Sequence, residues 1–450
     1  MKRHGDAYGA THGWRQHAGP IELLLFSLCV YLTTTPFLFI LTKQNPNLPA
    51  LINVATMQQE TQSMLLVYVV RGLVALIGAV FVARRLRQLK ANARQLLPLL
   101  PFLIWAALSS LWSDDPGVTA RSVTTLAVLW AGAYFFAVRL DGTSAARAVV
   151  GGGALVAATC LGYVVVDPAY AIHQLTDATQ FVHAGAWRGV YQHKNFLGHV
   201  AGFFVMAIFW ADRSTIPWPP LKWALIGLLL LLVIKSTSAS AVPIILITCA
   251  LVWILVVADP KQRVKALLVL APAIVALYWG TTAILTALGR DMTFTGRTEI
   301  WQIAIDSIFT RPLQGYGFVS ISYGNFSYSL MHQAGVFDPH SAYLDLALGT
   351  GFIGLVLFLL ILPFAWYAAR RLYLMGGGER QAGLMLISIT IGWLVSGFTE
   401  SSSRPLTAMG GLGLFTLAVL VSFPRSRERA SATAGGHNPF AEMRARATQG

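Results

Sequence analysis

Charge is scarce in this chain, and negative charge is scarcest. Of 450 residues only 19 are Asp or Glu, against 33 Lys and Arg, while 55% are hydrophobic. At a mean hydropathy of +0.60 there is too little polar surface to cover a soluble globule of this size. Cysteine is rarer still. Cys29, Cys160 and Cys249 all fall inside apolar runs without paired spacing, so they carry no message about disulfides or metal. No internal repeat is evident.

What the chain does have is a series of apolar runs. A bilayer core about 30 Å thick takes roughly 20 apolar residues per helix, which gives about twelve spans. They lie near 21–41, 64–83, 96–112, 118–138, 148–166, 196–211, 221–236, 240–257, 264–285, 341–368, 381–399 and 405–423. The expected fold is an all-α polytopic membrane protein. Residues 1–20 form an N-terminal segment, 21–423 a single transmembrane domain, and 424–450 a disordered tail rich in Arg, Ala, Ser and Gly. The basic start is followed by a full-length span, which reads as an uncleaved first helix rather than a signal peptide.

The net charge of +14 does not indicate nucleic acid, because the basic residues are placed asymmetrically. Lys2, Arg3, Arg15, the cluster Arg84 to Arg94, the short loops around Arg139, Arg213, Lys261 and Arg370, and the tail all fall on one side. Lys43, Arg121, Arg188, Lys194, Lys235, Arg290, Arg297, Arg311 and Arg404 remain on the other. By the positive-inside rule both termini are cytoplasmic, and anionic membrane lipid is the plain partner of the basic excess.

This topology leaves two long outer segments, 167–195 and 286–340, the second between helices 9 and 10. In the first, Trp187 to Asn195 collects Arg188, His193 and Lys194 with two aromatics, as either a membrane anchor or a functional cluster. In the second, Thr295 or Gly296 can cap a helix that runs to Phe309, with Glu299 in its first turn and Ile300, Trp301, Ala304, Ile305 and Ile308 as an apolar stripe. Arg311-Pro312 stops it. Arg297 then sits at a helix N-terminus, already partially positive, which suits either an anion site or a solvated side chain. Gln314 to Phe318 forms a glycine-relaxed turn. His340, after Asp338-Pro339, stands at the start of the next span.

Further polar residues have competing readings. Arg71, inside a span, could bind a donor phosphate, pair with Asp345 or Glu400, or fix packing. Lys235 to Ser240 is either a cavity wall or a plain turn, and Asp114-Asp115 reads as an Asx-rich turn closing a helix hairpin rather than a metal pair.

The runs Arg-Gly-Val-Tyr-Gln-His-Lys-Asn (188–195), Gly-Arg-Thr-Glu-Ile-Trp (296–301), Arg-Pro-Leu-Gln-Gly-Tyr-Gly (311–317) and His-Ser-Ala-Tyr-Leu-Asp (340–345), with Gly351 and Gly354, resemble the O-antigen ligase and Wzy-type polysaccharide polymerase superfamily. Leu-Trp-Ser-Asp-Asp-Pro (111–116) belongs to the same pattern, and the His-Lys-Asn and Gly-Arg-Thr-Glu-Ile-Trp runs are most similar to succinoglycan-type exopolysaccharide polymerases. The resemblance implies a GT-C-like glycosyltransferase of the bacterial inner membrane, with its active site facing the periplasm and no cofactor or metal. Its donor would be a glycan on undecaprenyl pyrophosphate and its acceptor a saccharide hydroxyl; such pathways commonly add a separate chain-length regulator.

By motif position Arg188 and Arg297 would bind the pyrophosphate and His340 would act at the acceptor hydroxyl. His193, Lys194, Asn195, Glu299, Tyr316 and Tyr343 are candidate substrate contacts, and Arg71 is a structural or donor-site charge. Ser341-Ala342 stands where the family often has Asn after the histidine, which removes a side-chain amide there. Polymerisation of repeat units is the expected activity. The alternatives are ligation to lipid A core, protein O-oligosaccharide transfer and, from a different class, polysaccharide or lipid transport.

Overall fold

The computed structural model describes residues 18–37, 54–83, 89–90, 92–177, 181–259, 261–266, 268–270, 272, 297–322 and 339–423. Most of the expected run 264–285, the candidate caps Thr295 and Gly296 and the tail 424–450 lie outside them. Among the described residues the secondary structure is helical, apart from an isolated antiparallel bridge between Ile172 and Trp187. The helices are α1 (Pro20–Leu32), α2 (Val54–Val82), α3 (Leu100–Leu108), α4 (Pro116–Arg139), α5 (Gly142–Val166), α6 (Lys194–Phe209) and α7 (Pro219–Lys235). They continue with α8 (Ala241–Val252), α9 (Arg297–Thr310), α10 (Ala342–Leu359), α11 (Leu362–Met375), α12 (Gly377–Ser396) and α13 (Ala408–Ser422).

Local chemistry sets several starts. Asp115 accepts from the Val118 amide at 2.9 Å with Pro116 beginning α4, and Asp141 accepts from the Ser144 amide at 2.8 Å to begin α5. Among the described residues three stretches are long and apolar enough, by length and composition, to cross a membrane: Pro116–Arg139, Gly142–Val166 and Ala342–Met375. At the centre, α12 and α13 are apolar on all sides and buried along most of their length, as a helix without a polar face must be. The remaining helices surround this pair, with α5, α6, α8 and α11 against α12 and α4 against α13.

Two expected spans take a different form. The first helix stops at Leu32 rather than near residue 41. Thr33 and Thr34 turn their hydroxyls back to the Val30 and Tyr31 carbonyls, and Pro36 drives the preceding residue out of the helical region. The run near 341–368 is divided into α10 and α11, and α10 itself is broken at Gly351, whose φ is 66° and ψ −177°.

A loop is stitched into that break. The Tyr316 and Gly317 amides donate to the Leu348 and Gly349 carbonyls, each at 2.9 Å, and the Phe352 amide donates to the Pro312 carbonyl at 2.7 Å. The same loop reaches α4 and the turn before it: Arg311 pairs with Asp114 at 2.9 Å, the Trp112 indole donates to the Gln314 carbonyl at 3.1 Å, and the Asp114 amide donates to the Tyr316 carbonyl at 3.0 Å. The separated motifs 111–116, 311–317 and Gly351 are therefore one structural joint.

Arg71 is buried and donates to the Leu32 and Pro405 carbonyls, each at 3.1 Å. Among the described residues no carboxylate pairs with it. Asp345 instead holds Arg404 through two contacts of 2.7 and 3.0 Å. Arg71 fits against α13 because Gly411 has no side chain, and a Cβ there would lie 1.9 Å from the Arg71 guanidinium. It thus links the middle of α2 to the end of α1 and to the turn before α13.

Candidate active site

The segment between α5 and α6 folds on itself through backbone bonds. The His173 amide donates to the Ala186 carbonyl at 2.9 Å, the Gly185 amide to the His173 carbonyl at 2.8 Å, and the Arg188 and Gly189 amides both to the Ala171 carbonyl. Folding gathers three histidines distant in sequence. The rings of His173, His183 and His193 pack edge to face, with centroids 5.1 to 5.8 Å apart.

Beneath them lies a buried charge network. Asp177 accepts from Nδ1 of His173 at 2.9 Å and pairs with Arg188 at 3.3 Å, and all three side chains are at most 1% exposed. Arg188 stacks 4.7 Å from the centre of the Tyr170 ring, and its Nε donates to the Tyr170 carbonyl. Arg188 is therefore buried within this network. Its charge is met by Asp177, because an isolated cation at that depth would be costly. One guanidinium nitrogen, Nη2, is buried without a hydrogen bond.

The cluster controls the start of α6. His193 is its N-cap, with extended backbone and Nδ1 accepting from the Asn195 amide at 3.2 Å, and the Lys194 amide donates to Nε2 of His173 at 3.3 Å. Lys194 reaches the Thr237 carbonyl at 3.1 Å, so the hydroxyl-rich turn after α7 is a wall of this site. One turn further, His199 lies between Ser240 at 2.8 Å and the Met409 sulfur at 2.9 Å.

Glu400, in the turn between α12 and α13, draws the other segments together. Its Oε1 accepts from the Asn195 side chain at 2.8 Å and lies 3.9 Å from the Arg297 guanidinium, which also donates to the Thr399 carbonyl at 2.8 Å. Arg297 opens α9, which runs to Thr310 with Ile300, Ala304 and Ile308 buried, while Ile305 is exposed. Trp301, one turn along, donates to the Pro339 carbonyl at 3.0 Å and so ties α9 to His340.

His340 has a φ of 48°, a left-handed conformation rare for a residue with a side chain. It precedes Ser341, the extended N-cap of α10, so the helix begins two residues after His340. A conformation of this kind costs about 1–3 kcal/mol and persists only where its surroundings impose it. His340 is close enough to His193 for its charge to disfavour protonation of that ring.

Electrostatics keeps the cluster neutral near pH 7. Burial, opposed by the hydrogen bond to Asp177, pushes His173 down to about 4. Burial and the neighbouring Lys194 lower His183. Burial, then the other histidines and Lys194, hold His193 well below the usual range. Among the described residues no three His, Cys, Asp or Glu side chains converge as a metal ion would need.

The remaining sequence candidates are placed as follows. Glu299 is exposed on the first turn of α9. Tyr316 is engaged by the joint, its hydroxyl donating to the Ser307 carbonyl at 3.1 Å under the Arg311 guanidinium, 4.5 Å from its ring centre. Tyr343 uses its hydroxyl on the Leu394 carbonyl at 2.7 Å. His193, Lys194, Asn195, Arg297 and His340 are brought to one end of the bundle by Glu400, His173 and Trp301. Sequence reasoning missed Asp177, His173, His183 and Glu400 as parts of that site. For Glu400 a signal was present, since it is an acid in the otherwise small and hydroxylated stretch Thr399 to Ser403.

Residues 223–359 match the family model of the O-antigen ligase, Wzy_C. This stretch is similar to O-antigen ligases. The matched stretch runs from within α7 to the end of α10 and so contains Arg297, Tyr316, His340 and Tyr343, whereas the histidine cluster precedes it and Glu400 follows it. The chain is similar to the exopolysaccharide production protein ExoQ of Rhizobium meliloti, 25% identical over 369 residues that cover 77% of this chain and 81% of the relative. It is also similar to the O-antigen ligase of Pseudomonas aeruginosa, 28% identical over 216 residues, 46% of this chain and 48% of that protein. O-antigen ligase domains belong to integral membrane proteins of polysaccharide assembly, in keeping with the apolar helices here.

Proposed function

We propose that the protein is a polysaccharide polymerase that transfers a growing glycan from undecaprenyl pyrophosphate to the hydroxyl of a lipid-linked repeat unit, on the periplasmic side of the inner membrane. The observation that carries this reading is the convergence of Arg297, Lys194 and Asn195 around Glu400, with His340 fastened beside them through Trp301 and Pro339. Arg297 and Lys194 stabilise the departing diphosphate, since charge-assisted bonds to phosphate oxygens are strong and a guanidinium binds them in pairs. The α9 N-terminus adds backbone donors to the same anion. Arg188 supports the site from beneath by holding the loop that delivers His193, Lys194 and Asn195.

In the reaction the acceptor oxygen bonds to the anomeric carbon as the bond from that carbon to the diphosphate oxygen breaks. The electron pair leaves with the diphosphate. His340 takes the acceptor proton, a task for which an imidazole suits neutral pH. Direct displacement inverts the anomeric centre.

The reading favours polymerisation because similarity to the exopolysaccharide production protein extends over most of this chain. Ligation is the second reading, and the similarity to an O-antigen ligase speaks for it. The test is the profile of lipid-linked and released saccharides in a deletion strain complemented with wild type or His340→Ala. A polymerase predicts single repeat units accumulating, with polymer restored by wild type alone and the His340→Ala protein still present in the membrane. Long chains stranded on the lipid carrier would identify a ligase, and normal polymer from His340→Ala would overturn the mechanism.

A further inference from the structure

His183 stands apart from the other two members of the histidine cluster. His173 has both ring nitrogens committed, Nδ1 to Asp177 at 2.9 Å and Nε2 as acceptor from the Lys194 amide at 3.3 Å. His193 has Nδ1 committed as the cap acceptor of α6 at 3.2 Å. A proton added to either acceptor nitrogen would break a bond that fixes the start of that helix. His183 makes edge-to-face contacts with both rings, 5.8 Å from His173 and 5.1 Å from His193, and among the described residues no hydrogen bond occupies its nitrogens. It is half-buried, on the turn Phe181–His183.

Among the described residues the surrounding charges give this ring no anionic partner of its own. His173, His193 and Lys194 face it. Behind them Asp177 is held by Arg188 and His173, while Glu400, on the turn after α12, is engaged by Asn195 and Arg297. His340 adds a further imidazole beyond His193. A cation and burial disfavour the imidazolium in the empty site, whereas a dianion brought in beside Lys194 reverses the local field and favours it.

We propose that His183 is the proton-exchanging group of the diphosphate site, taking up a proton as the donor's diphosphate binds and passing it to the diphosphate oxygen on departure. The inference rests on the diphosphate reading given above. In balance, the breaking bond from the anomeric carbon leaves its electron pair on the diphosphate oxygen, which receives the His183 proton. The acceptor oxygen loses its own proton to His340. Solvent then takes the proton from His340 and supplies the next one to His183, so that each turnover restores both rings.

The experiment is isothermal titration calorimetry of the purified full-length protein with inorganic pyrophosphate near pH 7, repeated in buffers of different ionisation enthalpy to count the protons exchanged. Wild type is compared with His183→Gln, and with His183→Lys, which carries a fixed charge. The expected result is proton uptake by wild type in excess of both variants, affinity weakened about tenfold in His183→Gln and recovered in His183→Lys. Equal proton counts in wild type and His183→Gln would overturn the proposal while leaving the diphosphate site in place. Absence of pyrophosphate binding to wild type would overturn the underlying reading, and this proposal with it. The Gln and Lys variants are first compared with wild type for thermal stability. Weakened binding by His183→Gln at unchanged stability, without recovery in His183→Lys, would also count against the proposal.

Discussion

Arg297 illustrates how a residue can look misplaced in sequence and be fully accounted for in space. Its positive charge at the N-terminus of α9 is held by the Thr399 carbonyl and by Glu400, and this leaves the planar guanidinium directed by two neighbours rather than free in solvent. Arg297→Lys keeps the charge but cannot reproduce the fork. Loss of one charge-assisted bond, worth about 1.5–3 kcal/mol, corresponds to a fall in transfer rate of roughly 10- to 100-fold. An in vitro polymerisation assay checks this, and a wild-type rate would mean that charge alone suffices. Glu400→Ala is expected to fall further, since both Arg297 and Asn195 lose a partner.

Deeper in the same loop, Asp177→Ala leaves Arg188 as a buried, unpaired cation. Breaking a buried pair costs about 3–5 kcal/mol, so a lower melting temperature is expected, with Asp177→Asn intermediate. The histidines add a pH dependence. His173 binds its proton far less readily when folded than its ordinary value near 6.5, being pushed down to about 4. Between these values the unfolded chain holds more protons, so stability rises with pH and is lost as pH falls from about 6.5 toward 4. Thermal melts across that range, with His173→Gln as control, would expose a flat profile if the reading is wrong.

Residue types and clustering made Arg297, His193, Lys194, Asn195 and His340 legible from the sequence. The depth of Arg188 was not, because an arginine flanked by Trp187 and Gly189 reads the same whether it faces solvent or a buried aspartate eleven residues upstream. Glu400 stands out as an acid among small hydroxylated residues, but its partners, 103 and 205 residues away in sequence, were not legible.

At the scale of elements, the boundaries of α9 were readable because Gly-Arg-Thr-Glu marks its start and Arg-Pro its end. The break in α10 was not. Leu348-Gly349-Thr350-Gly351 inside an apolar run is ordinary helix-packing sequence, and only the loop docked against it reveals that Gly351 is left-handed. Gly351→Ala tests the joint. Its Cβ would lie 2.1 Å from the Leu313 carbonyl oxygen, and the left-handed conformation alone costs about 1–2 kcal/mol with a side chain. The expected outcome is a lower melting temperature together with lost transfer, because α10 carries His340 at its start. Unchanged stability would mean that the loop and helix are not joined as described.

At the scale of the molecule, helical content and the order of apolar runs were legible in composition, whereas the exact number of spans and their direction depend on how charges distribute across a bilayer. The proposed orientation is testable by cysteine labelling in intact cells with a membrane-impermeant reagent. Glu299→Cys, exposed on α9, should be labelled from the periplasm, and Arg380→Cys only after permeabilisation. The reverse pattern would invert the topology.

The joint at Gly351 also bears on how the chain is made. Residues 112–114, 311–317 and 348–352 close on one another only after the last of them has left the ribosome, so the amides of Tyr316 and Gly317 wait for the carbonyls of Leu348 and Gly349. Insertion of α10 and docking of the loop are thereby a single late event in biogenesis. A nascent chain that misplaces the loop leaves the Leu348 and Gly349 carbonyls without these partners, a cost that is largest where no water can replace them.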